Sequence, residues 1–269
     1  MRSDNEVSEK RFPAFDHSGF GKGTAQEARL EVEEALNALF RTEKYIYTRR
    51  FEQAAALNLS LPRQNFHVIS LGTNCFPRMT LNLWGLKPRK AEGEPSMPFD
   101  LSVHPLPVVV KYLKNHFEGY FDAVEFDEKN GYWVNPSDGI KFIHDKQNDR
   151  DFFVDRYRKR IANLWAALDD DKPCLLVCHD MGGVDTAKVN ELYDFIQTRC
   201  GRKKFKLILA VFNGTVGKCN ENIKVYTDNF PCKNYLYMDK FAKFTKAGYH
   251  FEEPFVRFCR EEVLEMLEN

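Results

Sequence analysis

Three short apolar runs constrain the fold more than anything else in this chain: Phe66-His67-Val68-Ile69-Ser70-Leu71, Cys174-Leu175-Leu176-Val177-Cys178 and Lys206-Leu207-Ile208-Leu209-Ala210-Val211-Phe212. Each is too short for an ordinary helix and almost free of polar interruption. Strands of that kind lie in a sheet whose two faces are both covered. Further strand patterns fall at 223–227 and 235–238. Helical periodicity falls at 76–86, 105–117, 150–168, 185–199 and 254–267. The alternation predicts an α/β fold, a three-layer sandwich with a mostly parallel sheet, in the manner of a doubly wound sheet.

Residues 1–62 stand apart as an N-terminal arm and helical extension, and residues 63–269 as the α/β domain. The arm is polar up to about Gly23, and Thr24 is a candidate helix cap. Leu30, Ala35, Leu36, Leu39 and Phe40 form an apolar stripe, and a second helical stretch runs from Tyr45 to Leu57. Ser60-Leu61-Pro62-Arg63 reads as a linker.

Composition excludes several classes. Lys+Arg 39 against Asp+Glu 39 gives no net charge, so no global attraction draws the chain to nucleic acid or an anionic membrane. The start of the sequence lacks a secretory apolar core, and no run approaches the ~20 apolar residues of a membrane span. Seven cysteines, an odd number scattered through strands and helices, match reduced thiols. A soluble cytoplasmic protein is expected. Cys174, Cys178 and His179 lack a second compact ligand pair, so no metal site is expected.

The first run empties through Gly72-Thr73-Asn74 into Cys75, and a helical pattern with Pro77 in its first turn follows. A thiol there meets exposed N–H groups and the positive end of the helix dipole, which favour the thiolate. Cys75 is thus either a nucleophile or a core thiol behind a strand. Gly72, Thr73 and Asn74 line its approach. Asn74 and the N–H groups of Cys75 and Phe76 are candidate oxyanion donors.

A thiolate enzyme needs a histidine oriented by a carboxylate or amide. His144-Asp145 and His179-Asp180 each follow a strand-like run, and each fits either a general base or a turn cap. Pro98-Phe99-Asp100 is a stiff loop in which Asp100 orients a histidine or caps the helix near Pro105. Arg156 and Arg160 belong to a basic helix, either a solvated face or a holder of a substrate phosphate or carboxylate. Neither a phosphate-binding loop nor a dinucleotide fingerprint is present, and Gly182-Gly183 is too short to be one.

Taken in order, Ser70-Leu71-Gly72-Thr73-Asn74-Cys75, Pro98-Phe99-Asp100, Asn115-His116-Phe117, Phe142-Ile143-His144-Asp145 and Arg156-Tyr157-Arg158-Lys159-Arg160-Ile161 resemble a bacterial family of unknown function catalogued as papain-like cysteine peptidases. The resemblance covers roughly 66–240. It implies Cys75 as nucleophile, His144 as base, and Asp100 or Asp145 as its orienting carboxylate. The order of elements is also similar to serine esterases of the SGNH type and to coenzyme A-dependent acyltransferases. The expected function is a cysteine hydrolase of peptide or amide bonds working through a thioester at Cys75, without a cofactor. Two alternatives stay open: an acyltransferase or esterase using the same cysteine, with coenzyme A as cosubstrate, and a non-catalytic module binding an anionic sugar or nucleotide. His144 and His179 are not distinguished, and the partner expected is a peptide or an acyl-bearing small molecule.

Overall fold

The computed structural model describes residues 25–181, 183–201, 204–239 and 241–268. The expected arm and its Thr24 cap lie outside them, as does Gly182. The chain forms two compact units, dividing at Glu43 and Lys44. Helix α1 (Ala25–Leu59) is continuous where two helices were expected. Arg41-Thr42-Glu43-Lys44 offers neither glycine nor proline to interrupt it, and the Thr42 hydroxyl bonds back to the Ala38 carbonyl at 2.9 Å. Among the described residues no helix is long and apolar enough to cross a membrane.

The second unit contains four parallel strands: β1 (His67–Ser70), β5 (Cys174–Met181), β6 (Phe205–Phe212) and β7 (Ile223–Asp228). Helices α2 (Phe76–Leu83) and α3 (Leu106–Lys114) follow β1. A small antiparallel sheet comes next, formed by β2 (Glu125–Asp127), β3 (Tyr132–Asn135) and β4 (Ile140–Phe142), and then α4 (Arg150–Asp169). Helix α5 (Thr186–Cys200) joins β5 to β6, and α6 (Lys246–Glu268) closes the chain.

Pleating explains the layers. Ile69, Leu71, Leu176, Cys178, Leu209 and Val211 point into a core shared with α3, α4 and α5. Their neighbours Val68, Leu175, Val177, Ile208, Ala210 and Phe212 point into a second core shared with α2 and α6. The α/β sandwich with a mostly parallel sheet is therefore the fold. Strand order is β1-β5-β6-β7, without reversal. The doubly wound expectation is corrected here, because strands laid down in one direction create no switch-point crevice.

Two boundaries also differ. Residues 235–238 form no strand: they belong to the loop between β7 and α6. Tyr235 and Tyr237 turn inward onto Phe251 and Phe76, while Leu236 and Met238 are exposed. A loop lying on an apolar surface thus copies the alternation of a strand. Helix α6 begins at Lys246, eight residues before the expected start, because Thr245 caps it through its hydroxyl to the Gly248 N–H at 3.0 Å. Pro254, the first residue of the expected range, sits inside the helix.

Candidate active site

The segment after β1 is stitched to both of its neighbours. Gly72 O accepts the His179 N–H at 3.0 Å, and the Thr73 N–H donates to His179 O at 2.8 Å. The Thr73 hydroxyl bonds the same carbonyl. On the other side His104 N–H reaches Thr73 O at 3.0 Å. Gly72 has φ of 89°, and a Cβ there would lie 3.1 Å from His104 O and 3.3 Å from a Val109 methyl. Glycine is required on both counts.

This fixed turn delivers Cys75 to the N-cap of α2. Asn74 Oδ1 accepts the Phe76 N–H at 2.8 Å and the Tyr237 hydroxyl at 3.2 Å. Asn74 therefore occupies one of the expected oxyanion donors and leaves the Cys75 N–H beside the sulfur. The Cys75 sulfur lies 3.4 Å from the Tyr237 hydroxyl and 3.8 Å from the Met238 sulfur, and the residue is only 2% exposed. Tyr237 and Met238 arrive on the loop following β7. That loop is tied to the end of β6 by Asn213, whose side-chain oxygen accepts the Phe230 N–H at 3.0 Å.

Because the loop covers the thiol, iodoacetamide should alkylate Cys75 slowly at pH 8. A Tyr237→Ala variant should react at least about tenfold faster, as followed by peptide mass spectrometry. Equal rates would show that the loop is not the barrier.

His179 and Asp180 were expected at a strand end, but β5 continues through Met181 and places both inside the strand. The His179 ring packs on Phe76 and on Phe212, with centroids 5.1 Å away in each case. It is fully buried, and neither ring nitrogen has a hydrogen-bond partner among the described residues. Burial lowers its pKa to about 3.

His104, passed over in the sequence, is a second buried imidazole. Its Nδ1 meets the Ser102 hydroxyl at 3.0 Å and its Nε2 the Tyr120 hydroxyl at 2.8 Å. Burial lowers its pKa to about 3 as well. Only the alternation Ser102-Val103-His104 hints at it in the sequence, and that pattern marks burial alone.

Both imidazoles stay neutral when folded and take up a proton near pH 6.5 when unfolded. Their contribution to stability is present above about pH 6.5 and falls as pH drops toward 3. Between pH 7 and pH 5 each should remove about 2 kcal/mol of unfolding free energy. Urea titrations at the two pH values measure it. His179→Phe should recover roughly half of the loss, and an unchanged loss would mean that His179 does not titrate on unfolding.

His144 lies two residues beyond β4 and is exposed. Desolvation lowers its pKa, Arg78 and Arg160 nearby lower it further, and Asp145 opposes them. The Asp145 carboxylate is taken by other partners: Arg156, the Tyr157 hydroxyl at 3.0 Å and Arg160 at 3.3 Å. Asp100 accepts the Met97 N–H at 2.9 Å and faces Arg78 at 3.4 Å. It closes its own turn and does not cap α3, whose N-cap is Pro105 without a side-chain bond.

The expected residues thus gather in two places. Thr73 bonds the His179 backbone, and Phe76, the residue after Cys75, packs on the His179 ring, while the Cys75 sulfur meets Tyr237 and Met238. Arg156 and Arg160 line an open cavity of about 770 Å³ between α2, the 95–101 loop and α4, with the buried Asp145 paired to both and the buried Asp100 paired to Arg78 on the same wall, and Cys75 is absent from its lining. Arg78 and Arg160 also act on His144, which puts it on that side. Cys174 and Cys178 are buried strand residues, and burial pushes the Cys178 thiol up to about 12.

An α/β sandwich with a cysteine at a helix N-cap directly after its first strand defines a class of thiol-bearing α/β proteins. Within that class, the chain belongs to the family described as "putative papain-like cysteine peptidase", whose model matches residues 66–254. The match takes in both groups of residues. No curated protein and no solved structure matches the chain.

Proposed function

We propose that this protein is a cysteine hydrolase acting on peptide or amide bonds through Cys75. The observation that carries the reading is the sulfur at the N-cap of α2, 3.4 Å from the Tyr237 hydroxyl that also bonds Asn74. Family membership supports hydrolysis. His179 is the better base of the two histidines. Thr73, two residues before the thiol, bonds its backbone, and its imidazole, whose nitrogens have no partner among the described residues, packs on Phe76. His144 answers instead to Arg78 and Arg160.

In the proposed cycle the loop bearing Tyr237 and Met238 swings aside. His179 takes the thiol proton, and the Cys75 thiolate adds to the scissile carbonyl carbon. The Cys75 N–H donates to the resulting oxyanion. The carbonyl re-forms as the C–N bond breaks, and the amine leaves with the proton from His179. Water, deprotonated by His179, then splits the thioester and restores the thiol. A neutral imidazole buried away from water becomes a stronger base once its proton is shared with a thiolate, because the ion pair offsets the burial.

The test is a peptide library incubated with protein, with intact-mass detection of an adduct at Cys75. A thioester adduct that is absent from Cys75→Ser supports the reading. Cleavage by Cys75→Ala at the wild-type rate overturns it.

The basic cavity favours a second reading, acyl transfer from Cys75 to an anionic acceptor such as coenzyme A. Coenzyme A consumption during turnover separates it from hydrolysis.

A further inference from the structure

The cavity beside α4 has a charge balance that the proposed hydrolysis does not use. Five cations line it: Arg78 from α2, Lys90 from the 90–92 turn, and Arg156, Lys159 and Arg160 from α4. Among the described residues two carboxylates pair with them. Asp100 faces Arg78 at 3.4 Å, and Asp145 serves both Arg156 and Arg160. Asp155 on the wall is within 3.6 Å of Arg158. Lys90 and Lys159 have no ion pair among the described residues. Three positive charges are left facing one cavity.

The guanidinium groups are also held in position. Arg156 lies over the Phe152 ring at 4.4 Å and Arg160 over the Tyr157 ring at 4.5 Å. Asp145, 4% exposed, anchors both from behind. Asn163 ties the wall to the 95–101 loop by bonding Ser96 O at 3.0 Å. Forked guanidinium groups suit phosphate oxygens, and two free ammonium groups add point charge. A cavity of about 770 Å³ falls among small-molecule sites, whereas one acidic side chain of a peptide would leave most of it empty.

We infer that this cavity binds the diphosphate group of a small-molecule ester, with Arg78, Arg156 and Arg160 on the phosphates, Lys90 and Lys159 closing over them, and Phe152 against the organic part. The site stands apart from the hydrolase reading, because its lining does not include Cys75 and binding needs no turnover.

The test is calorimetry on the full chain carrying Cys75→Ser, at low salt, with pyrophosphate, ADP, coenzyme A, AMP, citrate and a glutamate-rich hexapeptide. Pyrophosphate and at least one diphosphate ester should bind at least about tenfold tighter than AMP or citrate, and weaken as salt rises. ADP against coenzyme A then reports which organic part is preferred. The exposed pair Lys90→Gln/Lys159→Gln, chosen because neither lysine holds another side chain, should weaken binding at least tenfold while the melting temperature without ligand stays unchanged. No binding at 1 mM pyrophosphate, citrate or hexapeptide binding as tightly, or equal affinities in the double variant would each overturn the assignment.

Discussion

Cys75→Ala is expected to abolish peptide or amide hydrolysis, lowering kcat/KM by about 10³-fold or more, while circular dichroism and melting temperature stay near those of the wild type. The thiol is small and buried, and the Tyr237 hydroxyl beside it keeps Asn74 as an acceptor at 3.2 Å. Removing the sulfur therefore disturbs little besides chemistry. A fluorogenic peptide found in the library screen supplies the assay. In the same assay His179→Phe should fall nearly as far as Cys75→Ala, and His144→Gln should retain most of the rate. If His144→Gln is the inactive variant and His179→Phe is active, His144 is the base, and the chemistry belongs at the basic cavity. A wild-type rate in Cys75→Ala removes the thiolate mechanism altogether.

The second large effect concerns stability. Asp145→Ala should lower unfolding free energy by about 3–5 kcal/mol, because it leaves a buried cation without its counter-charge. The side chain of Arg160 is 11% exposed and has no other carboxylate among the described residues. Arg156, at 37%, turns to water more cheaply and contributes less. The Tyr157 hydroxyl, fully buried, loses its acceptor as well. For a chain of this size the melting temperature should fall by roughly 10 °C. Differential scanning calorimetry measures it directly. A fall of under about 2 °C would mean that water replaces the carboxylate and that the network around Asp145 is not structural. The same network occupies the Asp145 carboxylate, which the family resemblance implied as one of two candidates to orient His144, with partners on α4.

Much of the architecture was legible because it depends on local periodicity. The apolar runs at 66–71, 174–178 and 206–212 became β1, β5 and β6, since a strand buried on both faces has no polar positions to place. The helix over 150–168 was equally plain. Its buried stripe of Phe153, Tyr157, Leu164 and Leu168 opposes an exposed basic face. Where local pattern and tertiary packing give the same signal, the sequence misled. Tyr235-Leu236-Tyr237-Met238 alternates like a strand, and the alternation comes from a loop pressing two rings onto the core. Pro254 resembles a first-turn proline, yet the Thr245 cap starts the helix earlier.

The sequence by itself determined the strand–glycine–cysteine turn, the parallel sheet and the basic face of α4. Each follows from the order of residues within about a dozen positions. Only the tertiary structure decided which groups meet. It paired Thr73 with His179 across 106 residues, laid Tyr237 on Cys75 across 162, and drew Arg78 toward α4 to line one cavity. These are contacts between segments whose spacing along the chain carries no information about distance. They are set by strand order and by which face of the sheet each helix covers.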